Sequence, residues 1–212
     1  MSIAISNNGS GVNKPLSTPI KISIALLTLI AVLVIMNVTI NKYETHLNTG
    51  DTVLLELAPV DPRGLMQGDY MRLNFAIADD ITEALKDIRK NRADDKNITH
   101  DFEYNSDGIA IVKVDDHNVA HFERLVPFES VDSFDRASLA SDEMALHFRI
   151  RNGSIKFATN AFFFQEGHAK DYEAAEYGLF RVNQQGEPLL ADMVNSEFEV
   201  IKGGMMTEEE TE

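Results

Sequence analysis

Between Lys21 and Lys42 runs a stretch, Ile22 to Ile40, of nineteen residues without a charge, dominated by Ile, Leu, Val and Ala. At a rise of about 1.5 Å per residue, a helix of that length nearly spans a bilayer hydrocarbon core of roughly 30 Å. The stretch therefore predicts a transmembrane anchor over residues 20–42. A cleaved secretory signal is the competing reading, but the apolar region is long and Met36 to Leu47 offers no A-x-A-like site. Lys14 and Lys21 precede the span and Lys42 follows it, offset in net charge by Glu44; the lysine bias places the N terminus inside.

On either side of the span the composition changes. Residues 1–19 are Ser, Asn and Gly rich with little to bury, which predicts a disordered tail, and residues 203–212 form an acidic one. The segment between, residues 48–202, is long enough for one soluble domain with its own core. The chain has no cysteine, which excludes disulfide frameworks, Cys-based zinc sites and thiol catalysis. A net charge of −15 disfavours nucleic acid and adhesion to anionic lipid, because phosphate contact needs clustered Lys and Arg.

Local patterns predict an α+β fold: one N-terminal transmembrane helix, then a mainly antiparallel β-rich domain with about two helices. Tyr43 to Gly50 reads as a polar connector and Thr52 to Leu57 as a first strand. From Tyr70 the alternation points Met71, Leu73, Phe75 and Ile77 one way and Tyr70, Arg72, Asn74 and Ala76 the other, a half-buried strand. A helix capped by Asp79 or Asp80 runs to about Arg92, with Ile81, Leu85 and Ile88 on one stripe. Three hairpins are expected, turning at Asn105–Gly108, Arg151–Ser154 and Asn183–Gly186. His117 to Leu125 reads as a strand, Pro127 to Glu143 as a loop with one helical turn, Phe162 to Tyr177 as a helix, and Phe198 to Ile201 as a last strand.

Two stretches carry a family likeness. Asp61-Pro62-Arg63 followed by Gly68-Asp69-Tyr70-x-x-Leu73-x-Phe75 resembles the bacterial GDYXXLXY proteins, membrane-anchored proteins named for this motif. The second is Phe162-Phe163-Phe164-Gln165-Glu166-Gly167 through Tyr172-Glu173-Ala174-Ala175, then Tyr177 to Val182. The resemblance implies an envelope location and, as partner, a multi-pass membrane protein; it supplies no reaction. Phe75 departs from the final tyrosine of the motif. The strand phase points it at the core beside Leu73, where a ring packs without its hydroxyl, which argues against a catalytic phenol there.

Catalytic patterns are sparse. No G-x-S-x-G or S-x-x-K arrangement occurs, and the connector offers only Thr45, Thr49 and Thr52 where a signal-peptidase-like enzyme places its serine. His117 and His121 lack the H-E-x-x-H context, and His168 with Glu166 and Asp171 reads as a solvated helix; neither a metal nor a cofactor is expected. The charged residues of the signature admit two readings. Asp61 and Asp69 accept backbone N–H bonds in their turns while an arginine pairs with one of them. Alternatively Arg63, Arg72 and Tyr70 form a polar platform for a peptide or partner, with Tyr172 and Arg181 completing it. The candidate binding residues are thus Asp61, Arg63, Asp69, Tyr70, Arg72, His168, Tyr172 and Arg181. Two functions stay open: a membrane-tethered, non-enzymatic binding or assembly module in the periplasm, or a tethered hydrolase using Asp69, His168 or Tyr172.

Overall fold

The computed structural model describes residues 17–58, 66–67, 70–92, 105–159 and 161–202. They divide into two units, Met1–Glu44 and Thr45–Glu212. Helix α1 (Thr18–Thr49) supplies everything described of the first unit and the opening turn of the second. In the first unit every described side chain is exposed, and Ile22, Leu27, Leu33, Ile35 and Val38 are among the large apolar side chains it presents. The helix is long and apolar enough to cross a membrane. Its threonines suit hydrocarbon: the Thr28 hydroxyl donates to the carbonyls of Ile24 and Ala25, and that of Thr39 to Ile35.

The second unit is an α+β fold whose named strands all pair antiparallel. Its elements are β1 (Asp51–Glu56), β2 (Met66–Gln67), β3 (Tyr70–Arg72), α2 (Ala76–Arg92), β4 (Asn105–Val114), β5 (Ala120–Leu125), β6 (Glu143–Arg151), β7 (Ser154–Lys156), β8 (Ala161–Phe163), β9 (Ala175–Val182) and β10 (Pro188–Asn195). They form three sheets, ordered β1-β9-β10, β2-β3-β8 and β5-β4-β6-β7. Two of the expected hairpins close as their turn residues dictate. Between β6 and β7, Asn152 and Gly153 both take left-handed angles, φ 52° and 72°, as a two-residue turn that follows the strand twist requires. Between β9 and β10, the Asn183 side chain accepts N–H bonds from Gln185 and Glu187, and Gly186 supplies φ 78°.

One core joins the sheets. Val53, Leu55, Met71, Leu73, Phe75, Leu146, Phe148, Phe180 and Met193 are all but fully buried in it. Phe75 meets Phe157 and Phe180 edge-on, with ring centroids 5.9 and 5.3 Å apart. Burying such a side chain contributes on the order of 1.5–3 kcal/mol, so these few anchors outweigh any surface pairing in the domain. Helix α2 buries Ile81 against this core and leaves Lys86 and Lys90 in water. The run Ile109–Val112 is buried on both faces: Ala110 and Val112 join the main core, while Ile109 and Ile111 sit with Val126 and Ala145 beneath Val131, Phe134 and Leu139. That lid comes from the segment expected to be a loop, which holds two short 3-10 turns, Phe128–Ser133 and Arg136–Ser138.

Several expectations need correction. The polar connector after the span is the last part of α1, which runs unbroken to Thr49. The 71–77 alternation is obeyed in burial, but pairing of named strands ends at Arg72 and α2 starts at Ala76, before either aspartate. Asn105–Gly108 is no turn: it lies within β4, and Gly108 pairs with Phe148, whose ring occupies the space a Cβ would need, only 2.4 Å from Cζ. Phe102 to Tyr104, the expected first strand of that hairpin, lies outside the described residues. Phe162 to Tyr177 is not a helix but strand β8, a turn with Gly167 at φ 90°, a 3-10 helix over Ala169–Ala174 and the start of β9. The expected last strand reduces to one bridge, Val194 to Val200.

Candidate functional site

The two stretches singled out in the sequence meet. Strand β3 pairs with β8, setting Tyr70 opposite Phe163, Met71 opposite Phe162 and Arg72 opposite Ala161. Entry into β8 is fixed by Thr159, whose hydroxyl donates to the Ala161 carbonyl at 2.9 Å and accepts the Ala161 N–H at 3.2 Å. Three consecutive phenylalanines in an extended chain cannot all face one way. Phe162 and Phe164 turn inward onto Tyr172, at centroid distances of 5.1 and 5.3 Å, and Tyr172 is only 7% exposed. Phe163 turns outward, 73% exposed, the highest exposure among the described large hydrophobics. Its ring lies 5.7 Å from that of half-buried Tyr70, and the exposed Arg72 is two residues along β3. An aromatic ledge beside a guanidinium is the result, on the strand that carries the signature.

The other candidates go elsewhere or cannot be placed. Asp61, Arg63 and Asp69 lie outside the described residues. His168 donates Nδ1–H to an Asp171 carboxylate oxygen 2.8 Å away, across one 3-10 turn. Arg181 sits in β9 opposite Thr52 and is committed to the start of the unit: its guanidinium donates to the Thr52 hydroxyl and to the Gly50 carbonyl. The His46 imidazole donates Nε2–H to the Arg181 carbonyl at 2.9 Å. A cation at a helix C terminus is favourably placed against the partial negative charge of the last carbonyls.

A second aromatic group has no counterpart in the sequence reading. The ring of His117 stacks flat on Phe198, 4.5 Å apart and 4° from parallel, and Tyr177 approaches Phe198 at 5.3 Å. Both turns behind it use left-handed backbone, Asn118 at φ 64° and Phe198 at φ 62°. Asp115 organises the first turn by accepting N–H bonds from His117 and Val119, and its other oxygen holds His121 at 3.0 Å. That hydrogen bond, chiefly, holds the Asp115 carboxyl below its usual range. Burial first, then the carboxylates of Glu56, Glu176 and Asp115, push the Tyr177 phenol up. His117 and His121 thus serve different partners. Among the described residues no three His, Asp or Glu converge as metal ligands. Tyr70 and Arg72 were sequence candidates but Phe163 was not; the signal that could have found it is the Phe-Phe-Phe run, which in an extended chain must turn one ring outward and which the helical reading of Phe162 to Tyr177 hid.

Fold and site together define a class: an α+β domain carried on a single long apolar helix, with an aromatic ledge on its signature strand. The chain belongs to the GDYXXLXY protein family, whose model matches residues 32–193, from within α1 to Met193 in β10. No curated protein and no solved structure matches it.

Proposed function

We propose that the protein is a membrane-anchored, non-enzymatic binding or assembly module. Helix α1 crosses the bacterial inner membrane once with its N terminus inside, and the domain stands in the periplasm, where it engages a multi-pass envelope membrane protein. The observation that carries the reading is Phe163. A ring 73% exposed beside Tyr70, with the exposed Arg72 two residues beyond Tyr70 on β3, is an expense in water that a partner relieves, and aromatic and arginine side chains are the groups interfaces reuse. The lysine bias around the span supports the orientation.

The test is co-purification of the full chain from detergent, with the envelope protein recovered by wild type. Phe163→Ser and Tyr70→Ala should abolish recovery, and Phe163→Ser should leave the melt within about 0.5 kcal/mol of wild type, as expected of an exposed site. Unchanged recovery in both variants removes the ledge from the account. A reporter fused after Lys202 should be active only if of the kind that needs an extracytoplasmic site; activity of a cytoplasmic reporter instead contradicts the orientation. The second reading, a tethered hydrolase, leans on the His168–Asp171 pair. Turnover in an esterase and peptidase panel that disappears in His168→Gln would favour it.

A further inference from the structure

Five polar side chains interrupt the apolar run of α1 between Lys21 and Lys42: Ser23, Thr28, Asn37, Thr39 and Asn41. Thr28 and Thr39 are satisfied within the helix, through the carbonyls of Ile24, Ala25 and Ile35. At about 100° per residue these two threonines lie roughly opposite Asn37, whereas Ser23, Asn37 and Asn41 fall within about 40° of one line. Leu26, Ile30 and Leu33 fall on the same line, so Ser23, Ile30 and Asn37 recur at the seven-residue spacing by which paired helices pack. A shallow groove on this side is lined by Ile30, Leu33, Val34, Asn37, Val38 and Asn41.

The Asn37 side-chain amide makes no hydrogen bond among the described residues. It lies three residues inside Ile40, about 4.5 Å from the end of the apolar run and on its hydrocarbon side, where an unpaired amide is costly. We propose that this face is covered by a second copy of the same helix, the two anchors packed in parallel with their Asn37 amides bonded to each other. A carboxamide both donates and accepts, so it is its own complement. Copies inserted the same way bring Asn37 opposite Asn37 at equal depth, and a two-fold axis satisfies both at once. Leu33 and Ile30 then interdigitate one and two turns deeper in the bilayer. The line leaves the hydrocarbon near Asn41, so the Glu44 carboxylates of the pair meet in water, where salt screens them.

The absence of native cysteine makes the test direct. Single cysteines are introduced into the full chain at Ile30, Leu33 and Val34, and on the opposite side at Val32, Ile35 and Thr39, and membranes are treated with an oxidant. The pairing predicts a disulfide-linked species of twice the chain's mass from the first three and none from the second three. In the Ile30→Cys background, Asn37→Leu should lower its yield between about threefold and thirtyfold, the range of one interhelical hydrogen bond, while Asn37→Gln retains most of it. Linking from both sides alike, from the opposite side, or from no position overturns the proposal. So does a yield indifferent to Asn37→Leu, or a product whose mass shows a different protein on this face.

Discussion

His46 and Arg181 hold each other from distant parts of the chain: the imidazole donates to the Arg181 carbonyl, and the Arg181 guanidinium reaches back to Gly50, four residues beyond His46. Gly50 makes the clasp possible, because a Cβ there would stand 2.7 Å from the His46 carbonyl oxygen and 3.1 Å from Arg181 Cβ. Gly50→Ala must displace the end of α1 and should cost on the order of 1–3 kcal/mol. Arg181→Met keeps the stem but loses both donors and should cost about 1–2 kcal/mol. Thermal melts of the full chain in detergent read both; a Gly50→Ala melt equal to wild type would mean that α1 ends without this close approach.

Gly108 and Phe148 make a similar pair inside the sheet, the glycine leaving room for the ring that lies across it. Gly108→Ala should destabilise by about 1–3 kcal/mol through overpacking. Phe148→Leu costs stability by itself, but the two losses should be less than additive in the double variant, since the smaller side chain vacates the place the new methyl needs. Additive losses in the double variant, measured in a denaturant titration, would contradict the direct contact.

Acid should weaken the domain in two steps. Burial first, and Arg136 second, lower the His147 imidazole below its ordinary 6.5, against smaller opposing effects of Glu187 and Asp107. The unfolded chain therefore binds the extra proton first, and stability that is complete above pH 6.5 declines as pH falls below it. Glu143, held by Arg124, has its pKa lowered from 4.5 to about 2, so its contribution is present above 4.5 and lost between 4.5 and 2. Asp192 acts in the opposite sense, its carboxyl raised by burial. Melting temperature against pH should flatten just below pH 6.5 in His147→Gln and between 4.5 and 2 in Glu143→Gln; an unaltered profile in either variant removes that residue from the account.

What the sequence made legible was whatever a local period or turn residue decides. The apolar run foretold α1, Asn152-Gly153 and Asn183–Gly186 foretold their hairpins, and the 71–77 alternation put Leu73 and Phe75 in the core. Phe162–Tyr177 misled because Phe164, His168, Tyr172 and Ala175 share a helical spacing; Phe164 and Tyr172 do touch, but across a turn at Gly167. Arg181 was illegible for another reason: its role depends on β1 pairing with β9, a register between segments more than a hundred residues apart that no local pattern encodes.

The central claim, that the signature strand presents a docking ledge, is tested most directly by placing a photo-crosslinking residue at Phe163 in the full chain in living cells. A control position at Glu123, exposed on β5, reports chance encounters. The account predicts one discrete adduct with an envelope membrane protein from position 163, lost on Tyr70→Ala, and none from position 123. No adduct from position 163, or the same adducts from both positions, would contradict it.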